Sequence, residues 1–182
     1  MEVYVALLRG INVSGHHLIK MDDLKSALSN LKLKNLTTYL QSGNLVFESD
    51  IKSCVDLENL IAKKILKVFG FDVKVTVIEK EKFLRLFSNN PFTKIPGIDL
   101  KQLYYIHLMG KPDIETFTAI QNDQRFPEKM TLHEGVIYVH YLNGYGRSKL
   151  HGSVFEKKLK ISATARNHNT MKNLCEKLTS LE

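Results

Sequence analysis

Twice along the chain an apolar strand is followed by a helix, and then by two strands joined through a glycine turn. That repeated order restricts the fold more than any single motif. In the first half, "VYVALL" at 3–8 reads as a strand, and "MDDLKSALSNL" at 21–31 sets Leu24, Leu28 and Leu31 on one helical face. "TTYLQ" and "NLVFE" flank "SGN" at 42–44, whose Gly43 and Asn44 suit positive φ and predict a hairpin. "DLENLIAKKILKVFG" at 56–70 aligns Leu57, Leu60, Ile61, Ile65 and Val68 and stops at Gly70, a helix C-cap. "VKVTVI" is a strand and "KEKFLRLFS" a short helix. The order is β-α-β-β-α-β, the split βαβ or ferredoxin-like arrangement.

After "NNPFTKIPGIDL", a loop with two prolines, the pattern begins again. "LYYIHLM" is a strand, "DIETFTAIQND" a helix, and "KMTLH", "EG" and "VIYVHYL" form a second hairpin. A helix near "SVFEKKL" follows. A last helix over "TMKNLCEKLTSL" has an apolar stripe of Met171, Leu174, Cys175, Leu178 and Leu181, with Asn167 or Asn169 as its N-cap. The expected fold class is therefore α+β, two ferredoxin-like modules consistent with a duplication, plus a C-terminal helix. The first module spans 1–90, a linker 91–101, and the second module 102–182. Within each module the first and third strands are expected to lie adjacent and parallel. Their ends would then open on one sheet edge, bringing "GKPD" beside "NGYGRSKLHG".

Composition narrows the class of protein. With 43% apolar and 25% charged residues, the 182-residue chain has the balance of a globular domain. No apolar run reaches the roughly 18 residues a membrane helix needs. The start, "MEVYVALLRG", lacks a basic n-region and a cleavage site, so no signal peptide is expected. Cys54 and Cys175 make neither a disulfide framework nor a zinc site, which suits a reducing cytoplasm. The seven histidines show no ligand spacing, and no metal site is expected.

The net charge of +7 is unevenly placed. Residues 1–50 hold five basic and five acidic groups, whereas 144–177 holds eight Lys/Arg against Glu156 and Glu176. That asymmetry points to an anionic partner, although a solvated basic face accounts for it as well. Within the basic stretch, Gly144–Lys149 leaves an apolar strand through two glycines. Glycine lets backbone N–H groups converge on an anion, Arg147 offers a bidentate clamp, Ser148 a hydroxyl and Lys149 a point charge. Neither nucleotide fingerprint, G-x-x-x-x-G-K-[ST] or G-x-G-x-x-G, is met. A tight turn whose cations pair elsewhere explains the same residues. "RNHNT" at 166–170 is richer than a cap requires, so Arg166 and whichever of Asn167 and Asn169 is not the cap are candidate ligand groups. Arg9 and Asn12, just past the first strand, are candidates from the first module, or the struts of a long connection. The face carrying Tyr105, His107, Tyr138 and His140 would suit base stacking, but it lacks the RNA-recognition signature, and packing is the favoured reading.

Four stretches, "YVALLRGINV" at 4–13, "TYLQSGNLVF" at 38–47, "GYGRSKL" at 144–150 and "ATARNHNT" at 163–170, together with "NPF" at 90–92, resemble DUF1697, a bacterial family described as a domain of unknown function. The resemblance implies a cytoplasmic bacterial protein with a doubled ferredoxin-like α/β fold, and supplies no activity. One departure is His168, where family members usually carry Trp, which weakens any stacking role there. The sequence thus predicts binding of an anionic, phosphate-bearing ligand: a nucleotide, a phosphometabolite or a nucleic-acid backbone. Two readings stand beside it. One is an enzyme acting on a phosphorylated small molecule, with only His151 or His168 as general base. The other is an interaction module whose basic face meets an acidic protein. No cofactor is named, and a homo-oligomer stays open.

Overall fold

The computed structural model describes residues 1–13 and 15–181. Contacts divide the chain into two compact units: one of Met1–Arg85 with the stretch from Leu174 onward, and one of Leu86–Asn173. Each is a four-stranded sheet with helices.

In the first unit β1 (Glu2–Leu8), α1 (Met21–Leu28), β2 (Lys34–Tyr39), β3 (Asn44–Ser49), α2 (Cys54–Phe69) and β4 (Val75–Glu79) build a sheet of order β2-β3-β1-β4. α3 (Lys80–Ser88) leaves directly from β4. Leu24 and Leu28 of α1 and Leu57, Ile61 and Ile65 of α2 pack with Tyr4, Ala6, Leu8, Leu45 and Phe47 in one core cluster. Each Leu, Ile or Phe side chain so taken from water contributes roughly 1.5–3 kcal/mol. On the opposite face of the sheet Val5, Leu7, Val46 and Ile78 are buried too, so both faces of β1 are covered, as befits a strand apolar at every position from Val3 to Leu8. α2 begins at Ser53, whose side chain accepts the Asp56 N–H, and ends at Gly70 in the left-handed region (φ 81°).

The second unit repeats this plan. β5 (Leu103–Leu108), α4 (Ile114–Gln121), β6 (Lys129–His133), β7 (Val136–His140), α5 (Gly152–Leu159) and β8 (Ala163–Asn167) give a sheet of order β6-β7-β5-β8, and α6 (His168–Thr179) follows β8 directly. Phe117 and Ile120 of α4 and Phe155 and Leu159 of α5 pack with Ile106, Leu108, Ile137 and Val139. Hydrogen bonds around the central strand repeat as well. Leu8 N–H donates to the Gly43 carbonyl (2.8 Å) and Leu108 N–H to Gly135 (2.9 Å), while Arg9 N–H donates to Lys74 (2.9 Å) and Met109 N–H to Ser162 (2.8 Å). Each outer strand on the β4/β8 side is blunted alike, Val77 N–H donating to Glu58 Oε1 and Ala163 N–H to Glu156 Oε1.

Three expectations are corrected. "ATARN", to which the sequence pattern assigns no element, is a strand, β8, because Tyr104–Leu108 offers it a complete antiparallel ladder. The first and third strands are adjacent but antiparallel in both units. "GKPD" therefore leaves the sheet at the end opposite "GYGRSKL", and the latter shares its end with β8's exit into "NHNT". In the first hairpin, Leu40 (φ 58°) and Gly43 (φ 75°) take positive φ, while Asn44 enters β3 and donates to the Tyr39 carbonyl. Two 3-10 turns, Pro91–Lys94 and Leu100–Gln102, capped by Asn90 and Asp99, form the connection around 91–101.

The aromatic face of the second sheet is packed. Tyr105 and Tyr138 are fully buried, and their hydroxyls reach the carbonyls of Phe87 (3.5 Å) and Leu86 (2.9 Å). No open platform for base stacking is left there.

Candidate functional site

Because β7 and β8 both run antiparallel to β5, they end where β5 begins: His140 pairs with Leu103 and Asn167 with Tyr104. Three connections meet at this sheet edge: the 3-10 turn Leu100–Gln102 before β5, the loop after β7, and the N-terminus of α6. They bring together sequence stretches far apart in the chain.

Between the first and third of these lies a cleft of ≈ 480 Å³, lined by Leu100, Lys101, Asn167, His168, Asn169 and Lys172. That volume falls in the range of small-molecule sites. Two lysines and, among the described residues, no Asp or Glu line it. The Asp99 side chain is drawn to the Lys101 backbone N–H, capping its own turn. At the floor, Asn167 Oδ1 accepts the Thr170 N–H (2.8 Å) and fixes the start of α6. No acidic residue occupies that helix's first turn, so no carboxylate there complements the partial positive charge of the helix N-terminus.

His168, first residue of α6, is 8% exposed yet lines the cleft. Its Nδ1 lies 3.0 Å from the Tyr105 hydroxyl, and its ring packs 5.0 Å from Phe87. Burial, and then the nearby Lys172 ammonium, lower its pKa from the ordinary 6.5, which favours the neutral ring.

The loop after β7 is fastened from inside. Gly144 takes φ 80°, a conformation that suits glycine, and Tyr145 then stacks on Tyr104 with ring centroids 4.5 Å apart. Tyr141 and His151 meet Tyr145 edge-on. Ser148 turns inward: its hydroxyl donates to Glu128 Oε1 (2.5 Å) and accepts the Leu150 N–H (2.8 Å). Arg147 and Lys149, on either side of it, are exposed.

The residues singled out in the sequence thus part company. Asn167 and Asn169 line the cleft; Arg147 and Lys149 stand at the same sheet edge, outside its lining. Ser148 is engaged by Glu128. Arg166 is buried in β8, donating to Thr164 Oγ1 and the Ala165 carbonyl (2.8 Å each), and burial lowers its pKa to about 10. Asn12 (φ 55°) spends its amide on its own loop and the β2–β3 turn, with Nδ2 donating to Ile19 and Gln41 carbonyls and Oδ1 accepting the Ile19 N–H. Arg9 is half-buried beside it. The motifs "RGINV" and "QSGN" are therefore two halves of one bracket in the first unit. Lys101 and Lys172 were not legible as site residues: one sits in an apparent linker, the other on a helix face, and only folding brings them to one cleft. The Lys-Gln before an apolar strand carries no signal of its own.

Fold and site together define a two-unit α+β protein with a basic cleft at one sheet edge. The chain belongs to the family described as "Protein of unknown function (DUF1697)", whose model matches residues 1–138. The match ends within β7, ahead of "GYGRSKL" and "ATARNHNT". Over nearly the full length the fold is that of the conserved bacterial protein SP0830 from Streptococcus pneumoniae, with a TM-score of 0.71 at 21% identity, covering 97% of this chain and 98% of that one. No curated protein matches the sequence. Among the described residues no helix is long and apolar enough to cross a membrane, and no cluster of His, Cys, Asp and Glu could hold a metal ion.

Proposed function

We propose that the protein binds a small phosphate-bearing anion in the cleft between the Leu100–Gln102 turn and the N-terminus of α6. The observation that carries this reading is the lining itself: two ammoniums, amide side chains and a helix N-terminus, with no carboxylate among them. Lys101 and Lys172 would neutralise the anion, and the first N–H groups of α6 and the Asn169 amide would direct its oxygens. Asn167 would act by fixing the helix start. Arg147 and Lys149, at the same sheet edge, would attract the ligand rather than grip it. The cleft is of small-molecule size, which favours a nucleotide or phosphometabolite over a nucleic-acid backbone.

The test is melting temperature against a panel of nucleotides, sugar phosphates and short oligonucleotides, for wild type, Lys101→Ala and Arg147→Ala. A ligand at 100 times its Kd stabilises by about 2.7 kcal/mol. The expected result is a small-molecule hit abolished by Lys101→Ala and weakened, mostly at low salt, by Arg147→Ala. A hit with oligonucleotides alone, falling steeply with salt, would place binding on the exposed basic surface instead. No shift with any compound would refute the reading.

A further inference from the structure

We infer that the cleft captures its anion together with a proton, taken up by His168. This rests on the anion-binding reading above and adds the group that senses the ligand. The argument begins with placement. His168 is nine-tenths buried but forms part of the cleft wall, and Tyr105 holds Nδ1, so Nε2 is the nitrogen left to meet a ligand oxygen.

The partner of Nδ1 can serve both protonation states. With a neutral ring, the Tyr105 hydroxyl donates to Nδ1 and the ring proton sits on Nε2. With an imidazolium, Nδ1–H donates to Tyr105, and the hydroxyl proton turns to the Phe87 carbonyl, 3.5 Å away. Neither state leaves the inner nitrogen without a partner.

The surroundings then decide which state is populated. Around the ring are the Lys172 ammonium one turn along α6, the Tyr105 hydroxyl of β5 and the apolar Phe87 ring, while Lys101 of the 3-10 turn lines the same cleft. Burial first, and then the Lys172 ammonium, lower the proton affinity of the ring, and the start of α6 acts in the same direction, so without an anion the neutral ring is favoured. A bound dianion reverses the sign of that potential. The imidazolium then becomes a third cationic donor on the ligand, and proton and anion bind cooperatively. Linkage makes the effect reciprocal: the ligand raises the proton affinity of His168 by the factor through which the proton raises ligand affinity.

Sulfate is the probe, because it stays dianionic across the range. Imidazole resonances are followed by NMR from pH 5 to 8 in sodium chloride and in sodium sulfate of equal ionic strength, with His168→Gln identifying the signal. The exposed His16 is the internal control. The expected result is a rise of about one unit in the His168 midpoint with sulfate, corresponding to tenfold tighter sulfate binding below the midpoint than above it, with His16 unmoved. Tyr105→Phe removes the acceptor for Nδ1–H and should shrink the rise. If sulfate shifts the amide signals of Asn169 and Lys172 while the His168 midpoint stays fixed, proton uptake is refuted and anion binding stands. If sulfate shifts neither, both fall.

Discussion

The first unit has a cleft equivalent to the basic one, and its lining is mainly acidic, with three Glu against one Lys. Strand register makes the correspondence explicit: Tyr4 pairs with Glu79 as Tyr104 pairs with Asn167, and a helix starts at the next residue in both cases. Glu2, Val3, Glu79, Lys80 and Glu81 line the first cleft, ≈ 230 Å³ in volume; Glu79 and Glu81 stand where the second has the amides Asn167 and Asn169. Glu81, in the first turn of α3, complements that helix's N-terminus from within the chain. Its counterpart, Asn169, does not. The fold makes a helix N-terminus at this edge twice, and the two copies differ in the charge of the side chains around it.

A second difference lies in the connection after the third strand. Residues 50–53 suffice between β3 and α2, whereas 141–151 are used between β7 and α5. The longer connection carries the Tyr145 stack, the Ser148–Glu128 hydrogen bond and the exposed Arg147 and Lys149. The basic character of the second unit's edge is thus an addition to a shared frame.

The largest expected contrast lies at the hairpin glycines, Gly43 and Gly135, which play the same hydrogen-bonding part. Both have positive φ, but a Cβ on Gly43 would come within 2.6 Å of Ile11 Cδ1 and 2.7 Å of Leu8 Cβ, whereas nothing lies within 4 Å at Gly135. Gly135→Ala should cost about 1–2 kcal/mol for the left-handed conformation. Gly43→Ala adds a clash in a packed site and should cost roughly 2–5 kcal/mol. Urea unfolding of the two variants checks this; equal costs would mean the first bracket is looser than its contacts imply.

Next in size is Ser148→Ala. It leaves Glu128 Oε1 without its hydroxyl donor in a buried place where Oε2 already has no hydrogen-bond partner among the described residues. A loss of about 1–3 kcal/mol is expected in urea unfolding. A change below a few tenths would show that Ser148 is not what fastens the loop.

Acid should reach the second unit through its buried histidines. Burial lowers the pKa of His140, and of His168, below the ordinary 6.5. A lowered folded value means that the unfolded chain binds the proton more readily. Stability from these groups is therefore complete above pH 6.5 and is lost as pH falls through that value toward the folded ones. The urea midpoint should drop between pH 7.5 and 5.5, and His140→Gln should flatten part of that drop. An unchanged slope would assign it elsewhere.

These contrasts also show what the chain discloses before it folds. Periodicity made β1, both hairpins and the long α2 legible, since alternating or helical stripes such as Leu57, Ile61 and Ile65 record which face is buried. It missed β8 because Ala163, Ala165 and Arg166 carry no apolar alternation. Arg166 is buried there by hydrogen bonds, not by hydrophobicity. Strand direction was misjudged because periodicity does not encode it. Loop cations were legible as charge, but not which of them turn toward a cleft; Ser148 and Asn12 have the residue types of a binding loop and serve as struts.

The smallest effect on stability is the sharpest test of the comparison. Asn169→Glu would give α6 the acidic first turn that Glu81 gives α3. The carboxylate meets the helix N-terminus and two ammoniums, so folding should gain about 0.3–1 kcal/mol, read as a slightly higher Tm. The same carboxylate occupies the position proposed for the ligand, and anion-dependent stabilisation should disappear. Gain in one measurement and loss in the other is the signature of a site kept uncomplemented for a ligand. If Tm rises while a phosphate-bearing compound still stabilises the variant as it does wild type, the two clefts do not differ through the charge at this helix start, and the anion site lies elsewhere.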